Sequence, residues 1–475
     1  MGKSLKLTFI GLVLILCSVV LAKSDGIKTT VMANDNYSLV GKVMCGYQGW
    51  FNCPKDGTSR GWVHWSKDKG SDASFTPATC HVDIWPDMND MGADEKYEAA
   101  GFDVNGIHYK VFSSHNRNTV LRHFRWMRDY GIDGVYLQRF VNETKDQNST
   151  NTSFTDRNDI LSYCKDAANM YDRKYAVMYD LSGIKAGEIP YVINDWKYLV
   201  DTKKVTRDPK DNAYMHHKGK PVVAIWGIGF EDKKHKIYTL AECSQLIDFF
   251  KNDPVYGGCI VMVGVPSFWR TLDRDSVNDP NLHAVIAKAD IVSPWAVGRY
   301  KMTAGPADYN QVDAYATNVW AEDMKWCAAK KIEYLPVIFP GYSYHNASSH
   351  KELKELNEIP RWGGNFLWRQ YYDAQKAGAT MIYVAMFDEV DEGTAIFKAA
   401  NSANAAEAGA SPAPTGETQF VIYREDIAGQ GPGYVPAGDR LPTDYYLWLA
   451  GQGGKMLRGE IPLTAAKPSY KEYQK

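Results

Sequence analysis

This 475-residue sequence has no Cys-x-x-Cys pair among its 8 cysteines and no cysteine–histidine spacing of the zinc-binding kind, which argues against a structural zinc module. It has no basic stripe. The 54 Lys and Arg against 56 Asp and Glu leave a formal net charge of -2, so nucleic acid and anionic membranes are not expected partners. It has no internal repeat. Residues 7–21 form an apolar run of 15 residues, short of the ~20 that a membrane-spanning helix needs, and no other stretch is long and apolar enough.

That run instead has the shape of an export signal. Lys3 and Lys6 precede it, and Val20-Leu21-Ala22 supplies tolerated residues for cleavage before Lys23. A leader over 1–22 and a secreted or periplasmic mature chain are therefore expected. A retained signal anchor and lipidation at Cys17 are the alternatives, the latter disfavoured by the bulky Leu16. Cleavage leaves seven cysteines, so not all pair internally. Cys45–Cys53 and Cys53–Cys80 are the disulfides that proximity in sequence allows, and Cys259 reads as a small core residue. Asn36, Asn142, Asn148, Asn151 and Asn346 fit Asn-x-Ser/Thr, which matters only in a glycosylating host.

What the sequence has in quantity is apolar and aromatic surface: 45% hydrophobic residues, with 30 Tyr and 14 Trp. Eight continuous apolar runs rich in Val, Ile and Tyr recur, at 42–51, 132–140, 175–183, 221–230, 259–269, 290–300, 333–344 and 380–389. Continuous rather than alternating apolarity predicts strands buried on both faces, as in a parallel sheet. Helix-like segments fill the gaps at 119–130, 159–172, 188–201, 240–252, 281–288, 307–331 and 353–377, several followed by Gly. This alternation predicts a (β/α)8 TIM barrel, with a doubly wound open sheet as the alternative. The expected organisation is a single catalytic barrel over 23–400 and a short C-terminal extension, 401–475, packing on it. Residues 52–118 form a long excursion after the first strand, carrying Trp62, Trp65 and Trp85. Such excursions usually shape the cleft of a barrel enzyme.

Catalytic groups of barrels come from the C-terminal ends of the strands. Those ends offer Gln48 and Trp50 on the first, Gln138 and Arg139 on the second, Asp180 on the third, Trp226 on the fourth and Trp295 on the sixth. The seventh gives Tyr342, Tyr344 and His345, and the eighth Asp388, Glu389, Asp391 and Glu392. Aromatic faces, amides and carboxylates suit a saccharide. Four carboxylates within five residues repel one another unless donors or a shared proton relieve them, and a raised pKa suits a general acid. A pair of carboxyl groups in opposite protonation states is what glycoside hydrolysis requires. An acidic first helical turn and a calcium site are the other readings of the cluster.

The segment Phe387-Asp388-Glu389-Val390-Asp391-Glu392-Gly393-Thr394 resembles the strand-eight signature of glycoside hydrolase family 99, in which two Glu three apart precede Gly-Thr. Gly46-Tyr47-Gln48-Gly49-Trp50-Phe51 is similar to the opening strand of the family 71/99-like group, and the resemblance spans about residues 40–400. It implies a retaining hydrolase of α-linked glycans, typically α-mannosides; the related family 71 cleaves α-1,3-glucan. It implies that Glu389 deprotonates the sugar's own 2-hydroxyl, which attacks the anomeric carbon. Glu392 then serves as acid and afterwards as base, and Asp388 binds a hydroxyl or holds Glu389. The mannosidase branch often carries Trp-His where this chain has Val390-Asp391, which leaves the sugar open. Gln48, Trp50, Gln138, Arg139, Asp180, Trp226, Trp295, Tyr342, Tyr344 and His345 are the candidate substrate contacts, with a buried, carboxylate-paired role the alternative for Arg139. A poly- or oligosaccharide is the expected partner, with no cofactor and no metal. A non-catalytic glycan-binding barrel and a metal-dependent barrel hydrolase are the competing functions.

Overall fold

A computed structural model describes residues 38–470, except 104–105, 149, 233–237, 304–307, 350–353, 403–409, 416–417 and 425–439. The expected leader, Cys17 and Asn36 lie outside the described residues.

Eight parallel strands form the core: β1 Val43–Tyr47, β2 Gly134–Phe140, β3 Lys174–Asp180, β4 Lys220–Trp226, β5 Ile260–Pro266, β6 Ile291–Trp295, β7 in two pieces, Glu333–Tyr334 and Val337–Ile338, and β8 Ile382–Val384. Each falls within or next to one of the eight apolar runs. Neighbours pair in the order β7-β6-β5-β4-β3-β2-β1-β8-β7. The first piece of β7 pairs with β6 and the second with β8, so the ring closes through one strand. Pro336, which has no N–H to give, sits where the partner changes; its carbonyl accepts from Tyr383 N–H at 3.1 Å. The (β/α)8 expectation holds, and the open sheet is excluded.

The helices are α1 Arg117–Tyr130, α2 Thr152–Tyr171, α3 Ile189–Asp201, α4 Leu240–Asn252, α5 Asn281–Ile286, α6 in segments Asn310–Tyr315, Ala316–Trp320 and Ala321–Ala329, α7 Asn365–Lys376 and α8 Tyr445–Leu457. Val120, Phe124 and Met127 form the buried stripe of α1, as their spacing predicts. Asn116 caps its N-terminus by accepting from the N–H groups of Asn118 and Thr119. Helix α2 starts earlier than its periodicity indicates because Asn151 caps it ahead of a polar first turn. The segment expected as one helix over 353–377 is α-helical only from Asn365, after a single 3-10 turn at Trp362–Gly364. Ahead of it, Ile359 bridges Tyr342 and Gly364 takes φ 83°, a backbone that cannot continue a helix.

Helix α8 comes from the expected C-terminal extension and packs against α1, α7 and β1, the place of the eighth barrel helix. Its glycines permit this. A Cβ on Gly451 would lie 1.8 Å from the Tyr130 carbonyl oxygen, and one on Gly453 would lie 2.5 Å from the Tyr371 ring. Among the described residues no helix is long and apolar enough to cross a membrane.

The excursion after β1 is a packed layer of its own. Phe51, Trp65, Phe75, Trp85, Phe102 and Phe112 make successive ring contacts at 4.7–6.0 Å. Trp65 and Trp85 are therefore core residues of that layer, at 0% and 2% exposure, and not stacking faces for a ligand. The disulfide expectation fails: Cys45, Cys53, Cys80, Cys164, Cys243, Cys259 and Cys327 are all buried free thiols. Cys53 donates to the Phe112 carbonyl and Cys80 to that of Val82, so both are used as small core residues. Asn346 is fully buried, its amide bonded to the carbonyls of Val82 and Gln419, which removes it as a glycan acceptor.

Candidate active site

Side chains of a strand alternate between the two faces of a sheet. Tyr136 on β2 and Tyr383 on β8 meet at 5.4 Å across the barrel interior, which identifies the inward parity. On that parity Gln138 and Asp180 face inward, and register places Asp180 opposite Trp226. Arg139 has the opposite parity. Its guanidinium makes paired bonds of 2.5 and 2.7 Å to Asp195 on α3 and reaches Asn158 on α2 at 2.9 Å. The expected substrate contact of Arg139 is thus corrected: it is a buried ion pair behind the sheet.

The acidic turn 388–392 lies directly after β8, at the C-terminal rim. Asp388 is fully buried and accepts the backbone N–H groups of Gln48 and Gly49, both at 2.8 Å. It therefore ties the turn to the end of β1. Glu389 is held on both oxygens: Oε1 accepts from the Gln48 amide at 2.8 Å and Oε2 from the Thr394 hydroxyl at 2.6 Å. Thr394 reaches that position because Gly393 takes φ 63° against Ser343, where a Cβ would lie 2.9 Å from backbone. Arg361 then fastens the turn through the carbonyls of Gly393 and Ala395. Glu392 differs. Its backbone carbonyl accepts from Ser343, but its carboxyl has no protein hydrogen bond among the described residues.

None of these four carboxylates pairs with Lys or Arg among the described residues. Burial pushes Asp388 up to about 7, against the pull of its two amide donors. Burial, then the field of Glu392 and Asp391, raises Glu389 well above its usual range. Glu392 is pushed up to about 7 by burial and by Asp391. Asp391 rises to about 6 through burial, partly offset by His81. One turn thus concentrates four carboxyl groups that all hold their protons more tightly than usual.

Residues from the excursion complete the site, and sequence reasoning missed them. His64 Nδ1 lies 2.9 Å from Asp391, and its ring stacks on Trp50 at 3.7 Å and 6°. One face of Trp50 is therefore covered by protein rather than open to sugar. His81 lies 3.8 Å from the same Asp391 oxygen. Asp83 accepts from Ser343 Oγ and from the N–H groups of His345 and Asn346. Burial raises it to about 6 against those donors. His345 turns its ring to the Lys354 carbonyl, which gives it a place in the loop rather than in the cleft. Tyr342 and Tyr344 are part-buried, and after burial the field of Glu392 is the next cause raising both hydroxyls.

A cleft of about 810 Å³ has Trp50, His64, His81, Arg60, Glu143 and Phe140 in its wall; the two histidines connect it to Asp391, while residues 388–392 themselves do not line it. Behind it, Asp156 binds Arg60, Arg157 and His115 at 2.6–2.9 Å, and Arg157 reaches the Gln48 carbonyl. A second cavity of about 350 Å³ is lined by Trp226, Trp295, Phe230, Asp275 and Arg299, the two indoles meeting edge to face at 5.6 Å. Asp232 borders both cavities.

No family model matches this sequence, and no curated protein sequence matches it. By structure the chain is similar to the family 99 endo-α-mannosidase of Bacteroides thetaiotaomicron: 15% identity, 88% of this chain and 98% of that chain covered, TM-score 0.57. The same enzyme in complex with bis-tris propane gives 15% identity, coverage of 88% and 97%, and TM-score 0.57. At that identity the likeness shows a shared fold, and the fold implied by the Glu-x-x-Glu-Gly-Thr signature is the one present.

Proposed function

We propose that this protein is a glycoside hydrolase of α-linked glycans, with Glu389 and Glu392 as its reacting pair. The observation that carries the reading is their asymmetry. Glu389 is clamped by Gln48 and Thr394, whereas the Glu392 carboxyl has no protein partner among the described residues. A base that must meet one particular hydroxyl gains from fixed aim; an acid serving first the leaving oxygen and then water gains from freedom.

In this reading Glu389 takes the proton of the sugar 2-hydroxyl as that oxygen attacks the anomeric carbon. Glu392 gives its proton to the departing oxygen. It then takes a proton from water, which attacks the anomeric carbon while the 2-oxygen recovers its proton from Glu389. Two displacements restore the starting configuration. Attack through the 2-oxygen needs that oxygen anti to the leaving group. An α-mannoside offers this geometry and an α-glucoside does not, so the mechanism favours an α-mannoside-like substrate, the bond cleaved by the family 99 enzyme named above. The leader read at 1–22 makes export part of the same proposal.

The test is turnover of α-mannan oligosaccharides and aryl α-mannosides, with the first-formed anomer followed by NMR. Retained α-product, and none from a 2-deoxy substrate, supports the reading. An inverted product, or turnover of the 2-deoxy analogue, refutes the mechanism. Binding without turnover by any α-glycoside refutes the activity.

A further inference from the structure

We infer that His64, His81 and Asp391 form a binding site for a divalent first-row transition cation, Zn2+ being the best match. One ligand atom from each lies within 4.8 Å of the others. The two separations to Asp391, 2.9 Å from His64 and 3.8 Å from His81, bracket the ~3.4 Å expected between ligand atoms ~2.1 Å from a tetrahedral zinc. Two imidazoles and a carboxylate are the donor set of zinc and its neighbours, not of calcium or magnesium, which take oxygen.

Three features support the geometry. The His64 ring is oriented by its stack on Trp50; His81 Nδ1, which lies 3.1 Å from the His64 carbonyl, would exchange that contact for the cation. His64 is held at φ 62°, a left-handed backbone that residues with a Cβ rarely take, so the chain is bent to bring it there. The surrounding turn supplies four carboxylates with no Lys or Arg partner among the described residues, an excess of negative charge that a divalent ion would relieve.

Both histidines line the 810 Å³ cleft, so a fourth ligand position opens toward bound molecules. Three protein ligands and one open position are the arrangement of reactive rather than structural zinc. A cation there would hold a hydroxyl or water of a molecule bound in that cleft. The site is independent of the hydrolase reading, because its readout needs no substrate.

The experiment titrates tag-free, chelator-treated full-length protein with Co2+, read by its visible d–d absorption, and then displaces it with Zn2+ in a calorimeter. The expected result is one ion per chain with nitrogen and oxygen ligation. Binding should weaken at least about tenfold in Asp391→Asn and in His81→Gln, both checked for native circular dichroism. If Asp391→Asn does not fold, His81→Gln at its part-exposed position decides. No binding at one equivalent, binding equal in the variants, or a thiolate charge-transfer band overturns the site. Glycosidase activity that persists after chelation in a protein that binds no metal removes this inference alone; metal binding without turnover of any glycan removes the hydrolase alone.

Discussion

The Gln48 side chain after β1 and the Glu389 carboxylate after β8 are joined by a hydrogen bond of 2.8 Å, although 341 residues separate them. The bond crosses between neighbouring strands of the ring, and Thr394 grips the other carboxylate oxygen at 2.6 Å. The aim of Glu389 is thus set by two donors from two different segments.

Loss of the second donor should be felt in kcat. A hydrogen bond to a charged group is worth about 1.5–3 kcal/mol, so Thr394→Val is expected to lower kcat roughly 10–100-fold with little change in KM. Thr394→Ser, which keeps the hydroxyl, should stay near wild type. A loss in Thr394→Ser with Thr394→Val near wild type would show that the methyl's packing matters and the donor does not.

The two glutamates should separate by leaving group. Glu392→Gln is expected to cost about 10²–10⁴ in kcat on alkyl α-glycosides, and far less in the glycosylation step on a dinitrophenyl glycoside, whose departing oxygen needs no proton. Glu389→Gln should lose activity on both substrates. Pre-steady-state release of dinitrophenol reads the difference, and identical losses would reverse or remove the assignment.

Arg139→Lys should change stability and not substrate affinity. Its guanidinium pairs with Asp195 behind the sheet through two parallel bonds, which lysine cannot reproduce. A loss of about 3–5 kcal/mol is the scale for breaking a buried pair and an upper limit for this milder change. Urea unfolding should detect the destabilisation while KM stays constant; a raised KM with unchanged stability would return Arg139 to the cleft.

Asp156 predicts an acid-sensitive stability. Burial alone would raise its pKa, but Arg157, the His115 hydrogen bond and Arg60 together hold it well below the usual carboxylate range. Because the folded-state value lies below the unfolded ~3.9, its contribution is complete above about pH 5 and falls as pH drops through and below 4. Asp156→Asn should therefore destabilise strongly at pH 7, and the gap to wild type should narrow toward pH 3. A gap that does not change with pH would mean the charge is not what Asp156 contributes.

The barrel was legible because its strands are buried on both faces and so leave continuous apolar runs, from Val43–Tyr47 to Ile382–Val384. The rim glutamates were legible because they follow the last run directly. Gln138 and Arg139 are adjacent on β2, so only one of them can face the interior, and the long charged side chain found its carboxylate outside. His64 and His81 left no trace in the sequence. They sit in an irregular excursion without period, and they meet Asp391 only because the Trp65 and Phe112 layer folds back over the rim. Gly363-Gly364, immediately before Asn365, marks the start of α7 in the sequence.

Helix α8, at 445–457, covers the first strand, and this orders assembly in time. A ribosome releases amino-terminal segments first. The nascent chain therefore holds β1 and α1 ready while the piece that shields their flank is made only after every strand. A fragment stopped at residue 400 would carry every strand, yet leave an oily seam beside Val43 and Tyr130 uncovered, with aggregation as its expected fate.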